Sequence, residues 1–555
     1  MKRDTALLWI VVLAFCLRVV GINFGLPFLG HQDEPIVVNH ALAYSSGDLN
    51  PHFFKIPPLL SYLLFAAYSL FYGFFHFFMG WDTQRFAELF FHDPSLFYLL
   101  GRLLFGVVLG TSTVLILYRF AQKFFSEKVA FVSAIFFAVS FFHVRDSHYI
   151  YVDIPMILAI LLSFLALAEH QQAGAGSKAL QAGFWAGVAT AFKYIAAPIV
   201  FPIVLLLWRK PKLLFATFFV CVLTYFVCNP YSFLDWNFFW KEIHDQAQAE
   251  SMSPLFHHLT YSLFAGQGIL IVCSGVLGIA LIFKKRPELR FFAIFPIIWY
   301  VLTVCFSQRF ERYAMPIAPF LCCFSAYVLS EAVDKFISKK FQRAVFAILV
   351  ILFLAEPAAK SIYLDWLAMR PDTRVLAKAW ILENLPEGSV IAVNHPFFSP
   401  KLAQTDEQLD QKLGRLRLGD PQRATKQKKL AYLKEAVKGE KRFHVIYLRG
   451  KEVGDPSFLT WSPWINTSEE DFLKAGVQFV LRYRFVGENE DLGRILSAGA
   501  RLSRVFSPYY ASDKITSQDL YAHVGLPFLS RELFSRKYPG PYLEIHEIAG
   551  GQPPN

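Results

Sequence analysis

Apolar runs separated by short charged breaks fill the chain from residue 6 to residue 355. A helix needs about 20 apolar residues to cross some 30 Å of hydrocarbon. Runs meeting or approaching that length lie at 6–24, 57–79, 97–120, 129–143, 154–168, 181–208, 213–228, 266–283, 291–306, 314–329 and 344–355. Two are ambiguous. The run 57–79 can cross the bilayer or lie along its surface. The run 181–208 is long for one crossing and short for two, and Lys193 interrupts it, with Pro198 and Pro202 beyond.

Basic residues decide between the two counts, because short cytoplasmic loops carry an excess of Lys and Arg. Clusters occur at Lys2/Arg3, Arg119/Lys123/Lys128, Arg209/Lys210/Lys212, Lys284/Lys285/Arg286/Arg290 and Lys335/Lys339/Lys340/Arg343. All five share one face if 57–79 does not cross and 181–208 crosses twice, breaking near Lys193. The expected topology then has eleven spans and a cytoplasmic N-terminus. The alternative, one crossing at each run, misplaces Arg119, Lys123 and Lys128 and strands Lys193 near mid-membrane, which is costly unless the ammonium is paired.

Beyond residue 358 the pattern changes. A helical stretch at 376–384, a turn at Pro386-Glu387-Gly388 and a buried strand at 390–393 form a unit that repeats loosely at 472–481, and 444–448 reads as a further strand. The charge-rich run 415–442 reads as a solvated helix or loop. The fold class expected is an all-α polytopic membrane bundle with periphery helices over 1–358, followed by a soluble α/β domain over 359–555. By parity that domain lies outside the cytoplasm.

Composition agrees. The chain is 55% hydrophobic and only 17% charged, with 59 phenylalanines, whereas soluble domains are about one quarter charged. The net charge of +11 resides largely in orientation signals between apolar runs and does not indicate a nucleic-acid partner. Met1-Lys2-Arg3 leads into a long apolar helix without the small-residue site of a cleaved signal peptide. The seven cysteines all fall within apolar runs, as packing residues rather than a disulfide framework or metal site.

The predicted topology places Asp33, Glu34, Asp153, Lys193, His244, Arg309 and Arg312 on one outer face. Asp33-Glu34 interrupts a loop that is mostly apolar or aromatic, where a carboxylate needs a reason; it can define the bilayer edge or take a proton from a hydroxyl. Asp153 precedes Ile154-Pro155 and suits a helix N-cap, or can orient an acceptor or a cation. Lys193, Arg309 and Arg312 can snorkel to headgroups, or stabilise the charge of a leaving phosphate. His244 follows an aromatic stretch that reads as an interfacial helix. Glu242 and Asp245 flank it, but no HExxH or comparable spacing is present.

Together these residues resemble the membrane glycosyltransferases of the C-type fold, above all the protein O-mannosyltransferases of family 39 and the aminoarabinose transferases of lipid A. The resemblance runs through Asp33-Glu34, Pro57-Pro58-Leu59, Asp153-Ile154-Pro155, Phe192-Lys193-Tyr194 and Arg312-Tyr313-Ala314-Met315-Pro316, and covers about residues 5–335. It implies inverting transfer of a sugar from a polyprenyl-phosphate carrier to a hydroxyl acceptor (lipid, glycan or protein) on the outer face of a plasma (inner) membrane. It implies Asp33 as base, with Glu34 and Asp153 beside it. Lys193, Arg309, Arg312 and Tyr313 would lie at the carrier phosphate, and His52, Arg102 and His244 at acceptor or substrate. Where the aminoarabinose enzymes carry Glu-Lys before the prolines, this chain has Lys55-Ile56, so their metal-binding carboxylate is missing and a divalent cation stays an open question. A lipid or sugar transporter or flippase, and a polymerase or ligase using a lipid-linked glycan, are the alternative readings. Transporters place ionisable groups and broken helices near the bilayer midplane, whereas these candidates gather at one edge.

Overall fold

A computed structural model describes residues 3–27, 31, 33–248, 254–305, 310–395, 398–414, 427, 430–432, 434–435, 439–448, 464–484, 490–511 and 530–548. The chain divides into two compact units: Met1–Ile22, Asp33–Leu70 and Tyr98–Trp366 form the first, and Asn23–Gln32, Phe71–Phe97 and Leu367–Asn555 the second.

The first unit is helical. Among the described residues, seven segments are long and apolar enough to cross a membrane: Leu59–Met79, Ser95–Phe124, Asp153–Ala173, Pro211–Cys228, Pro287–Val304, Glu311–Phe336 and Gln342–Asn384. The pair His258–Gln267 and Ile269–Lys285, bent by 115°, makes an eighth if counted as one span. The protein is thus an integral membrane protein with several apolar helices. Eleven runs of comparable length were expected, and the shortfall has local causes. The run at 129–143 is broken: helix Glu127–Ala138 is capped by Ser126, and a separate short helix, Phe141–Asp146, follows. Twelve residues rise only about 18 Å. The run at 181–208 breaks at Lys193, as expected, but into Gly176–Phe192 of 17 residues, a 3-10 turn Tyr194–Ile199 of 6 and Val200–Leu207 of 8, each shorter than a span. Leu59–Met79, expected along the surface, has the length and apolarity of a span, and only 11% of its apolar window is buried.

Close helix contacts use glycine. At Gly183 and Gly187 a Cβ would strike the carbonyl oxygens of Thr217 and Cys221 on helix Pro211–Cys228, so the helix leading to Lys193 lies backbone to backbone on its neighbour, as small residues permit in membranes. All seven cysteines are free thiols.

The second unit contains a six-stranded sheet: β1 Val390–Val393, β2 His444–Leu448, β3 Trp464–Ile465, β4 Phe479–Tyr483, β5 Ala500–Phe506 and β6 Leu543–Ile548, in the order β3-β2-β1-β4-β6-β5. Strands β1 to β4 are parallel, and β6 joins β4 and β5 antiparallel. All four residues of β1 are buried. Val390 and Ala392 pack with Phe472, Leu492 and Leu496 on one face, and Ile391 and Val393 with Ile381 and Leu385 on the other. Cover on both faces is why β1 reads as a continuous apolar run rather than an alternating one. Most of the charge-rich run 415–442 lies outside the described residues.

Candidate active site

Four segments remote in sequence converge in the first unit. The first is the start of helix Glu34–Ala43. Asp33 holds its cap position with φ −84° and ψ −21° and makes no capping bond, since a cap side chain reaches the first-turn amides from extended backbone. Its Oδ2 instead accepts a hydrogen bond from the Arg312 guanidinium at 3.0 Å. Glu34 turns the other way. Arg102 donates to both its oxygens, from Nε at 2.8 Å and a terminal nitrogen at 2.7 Å, and the Ile150 amide donates to Oε1 at 2.9 Å. Arg102 also donates to the Ile22 carbonyl at 2.7 Å.

The second segment is Ile150–Asp153. The capping alternative for Asp153 does not hold: Val152 occupies the cap position and Asp153 is the first helical residue. Its Oδ1 accepts from Lys193 Nζ at 2.8 Å, and its Oδ2 lies 3.9 Å from Arg312 Nε. Among the described residues neither Asp153 Oδ2 nor Arg312 Nε has a hydrogen-bond partner. Gly106, in the helical turn Arg102–Val108, lets the stretch just before this segment approach, because a Cβ there would strike the Ser147 carbonyl.

Lys193 is the third element. Helix Gly176–Phe192 stops at it, and its extended backbone (φ −156°, ψ 125°) throws the side chain out of helical register. The fourth is the 3-10 turn Glu311–Ile317. Glu311 accepts from Arg145, whose Nε also donates to Asp146 Oδ1 at 2.7 Å, and the Trp299 indole donates to the Tyr313 carbonyl at 2.7 Å. So braced, the turn presents Arg312 between the rings of Tyr151 (4.8 Å) and Phe310 (4.3 Å), and the Lys193 ammonium 4.7 Å from the Tyr313 ring centre.

The result is a network of two cations and two carboxylates with no net charge, in which Arg312 is shared. Asp153 is 2% and Arg312 7% exposed, so each requires a partner of opposite charge, since a buried ion without one is strongly disfavoured. A shallow groove is lined by Ile36, Val37, His40, Pro57, Pro58 and Val152 among others.

Asp33, Asp153, Lys193, Arg312 and Tyr313 are therefore brought together. Glu34 and Arg102, expected at catalytic and substrate-contacting positions, are both 0% exposed and spend their charges on each other. Neither presents an atom to a substrate here. His52 is exposed, adopts a left-handed φ of 46° and pairs with Asp48 at 2.9 Å. His244 is exposed on helix Trp236–Gln248; its neighbour Glu242 accepts the Phe54 amide, and the Tyr194 hydroxyl donates to the Phe54 carbonyl at 2.9 Å. Arg309 lies outside the described residues. Among the described residues no three His, Cys, Asp or Glu side chains gather as a metal site would need. Sequence reasoning missed Arg145, Glu311 and Tyr151. The available signal was charge within apolar surroundings, at Arg145-Asp146 and Glu311-Arg312 alike.

Residues 78–231 match the family described as dolichyl-phosphate-mannose-protein mannosyltransferase. No curated protein matches the chain by sequence. The structure is similar to ArnT from Cupriavidus metallidurans bound to undecaprenyl phosphate, with TM-score 0.52 and 13% identity over 99% of each chain. It is also similar to the Archaeoglobus fulgidus oligosaccharyltransferase tethered to an acceptor peptide, with TM-score 0.50 and 12% identity over 98% of this chain and 88% of that one. The chain has the fold of the C-type membrane glycosyltransferases.

Proposed function

We propose that this chain transfers a sugar from a polyprenyl-phosphate carrier to a hydroxyl acceptor, with inversion, at the outer face of the plasma (inner) membrane. The observation that carries the reading is the convergence of Asp33, Asp153, Lys193 and Arg312 from four segments into one partly exposed network. The carrier finds support in the undecaprenyl phosphate of the ArnT structure.

In the step itself the acceptor oxygen attacks the anomeric carbon while Asp33 takes the hydroxyl proton. The bond between that carbon and the phosphate oxygen breaks, and the phosphate departs with the bonding pair. Lys193 and Arg312 meet the charge that develops on it, and Tyr313 borders the ammonium. Asp153 holds Lys193 and Arg312 in place. Donor and acceptor must be aligned in line, so positioning supplies much of the acceleration.

The topology belonging to this reading has eleven spans, a cytoplasmic N-terminus, and residues 359–555 as a domain outside the cytoplasm. The break at Lys193 supports it, since two crossings meeting there deliver the ammonium to the face that carries Asp33.

The test is a transfer assay with the purified enzyme and a labelled polyprenyl-phosphate sugar. The label leaves the carrier only when a hydroxyl acceptor is supplied, and the product linkage is inverted. Movement of an intact carrier-linked sugar across a vesicle, with no bond cleaved, would replace transferase with flippase.

A further inference from the structure

We propose that Arg312 couples carrier binding to exposure of the base: the carrier phosphate takes the guanidinium from Asp33 Oδ2, so the donor binds before the acceptor. This rests on the transferase reading above and adds an order of events to it.

The geometry supplies three reasons. Arg312 is one cation divided between two carboxylates, at 3.0 Å to Asp33 and 3.9 Å to Asp153. The first is a hydrogen bond and the second is too long to be one. Its Nε, in a side chain only 7% exposed, has no hydrogen-bond partner among the described residues, and neither has the facing Asp153 Oδ2. The guanidinium thus has a donor to offer a new acceptor. Arginine binds phosphate through two parallel donors in a planar fork, and engaging Nε together with the terminal nitrogen now on Asp33 turns that edge of the guanidinium from Asp33 toward the phosphate.

The rest of the site resists a different response. The Tyr151 and Phe310 rings lie 4.8 and 4.3 Å from the guanidinium, and the Glu311–Arg145 pair holds the adjacent residue, so a turn of the guanidinium among these contacts disturbs less than a swing of the whole side chain. Lys193 keeps its own contact with Asp153 Oδ1 at 2.8 Å, so Asp153 does not need Arg312 to remain paired. Before the carrier arrives, the Oδ2 lone pair that would accept a proton is committed to Arg312. Afterwards it is returned, beside the sugar that is to be attacked. An acceptor hydroxyl entering first finds that oxygen engaged by Arg312.

Carboxylate labelling with a carbodiimide and an amine, read residue by residue by mass spectrometry, tests this on the full-length enzyme. The probes are undecaprenyl phosphate and, as control, undecaprenol, with binding measured separately by native mass spectrometry. Asp33 labelling should rise by about tenfold with the phosphate, the ratio implied by losing one hydrogen bond to a charged group, and should not rise with the alcohol. In Arg312→Gln it should be high without lipid and unchanged by it. The comparison of phosphate with alcohol on the wild-type enzyme stands even if that variant fails to fold. Bound carrier with unchanged or reduced Asp33 labelling would overturn the hand-over and leave the transferase reading intact. Failure of the phosphate to bind at all would remove the transferase reading, and the hand-over with it.

Discussion

Glu34 and Arg102, 68 positions apart, form a two-pronged ion pair from which water is excluded on both sides. Because the Ile150 amide binds the same carboxylate, the pair ties the segment carrying Asp33 to the one carrying Tyr151 and Asp153. Two adjacent acidic residues thereby turn apart: Glu34 joins two segments of the first unit, and Asp33 meets Arg312.

Arg102→Met should be far more damaging than its distance from the network suggests. A buried carboxylate left without its partner costs about 3–5 kcal/mol, so little monodisperse protein should survive size-exclusion chromatography. Adding Glu34→Gln removes the stranded charge and should recover folded protein. Equal recovery of single and double variants would mean that the pair is dispensable.

Asp33→Asn should lower turnover by about 10²–10⁴, the range for loss of a general base, while yield and carrier binding stay near wild type. Folding is spared because Asp33 makes no capping bond and an amide oxygen in its place can still accept from Arg312. Near-normal turnover in the transfer assay would remove Asp33 from the chemistry and make Asp153 the next base to test.

Lys193→Met and Arg312→Met should each reduce the donor's kcat/KM by about ten- to a hundredfold, as loss of a charge-assisted contact predicts. Lys193→Met also leaves Asp153, only 2% exposed, with a distant cation. Adding Asp153→Asn should therefore restore stability without restoring donor use. A double variant that regains both would reduce Lys193 to a structural counter-ion.

Much of this arrangement is visible in the sequence. The break at Lys193 follows from a lysine and two prolines within an apolar run, and β1 and β2 are the apolar stretches read at 390–393 and 444–448. The inward turn of Glu34 is not visible. Neighbouring carboxylates at a helix start are equivalent on paper, and only the placement of Arg102 and of the Ile150 amide separates them. Arg145 and Glu311 are hidden for a similar reason, since 166 residues lie between them and no local pattern joins them. The strands β5 and β6 are polar enough, with Arg501, Arg504, Glu544, His546 and Glu547, to escape an apolar pattern.

The C-terminal domain should be reachable from outside. Glu387 is exposed in the turn before β1, whereas nearby Ser389 is 3% exposed. In a cysteine-free background, Glu387→Cys should react with an impermeant maleimide on intact spheroplasts. Labelling only after lysis would reverse the topology.

The sheet should loosen in acid. Burial works to raise the Glu544 pKa, but its bond from His546 and the charges of Arg484 and Arg482 outweigh burial and hold it below 4.5. A carboxyl depressed on folding contributes fully above its unfolded value and loses that contribution as pH falls through the folded value. Hydrogen exchange corrected for intrinsic rate should show constant protection of β4 and β6 from pH 8 to about 5 and a decline below about 4.5, the ordinary range of a glutamate. Glu544→Gln should lower protection at pH 7 and flatten that decline. An unchanged acid limb would assign it to other groups.

Phe54 has one amide hydrogen and one carbonyl to offer, and both are taken by side chains from elsewhere, Glu242 and Tyr194. Its ring is fully buried, edge-on to Phe238 and Phe239. The loop after helix Glu34–Ala43 is therefore held from outside at Phe54, as it is at Asn50, which donates to Asp235 Oδ2 at 2.9 Å. Tyr194 directly follows Lys193, and Glu242 lies on a helix whose Trp236 and Trp240 are exposed. Helix Trp236–Gln248 therefore reaches the residue beside the ammonium by two routes, through the backbone of Phe54 and through Phe239, whose ring centre lies 6.1 Å from that of Tyr194.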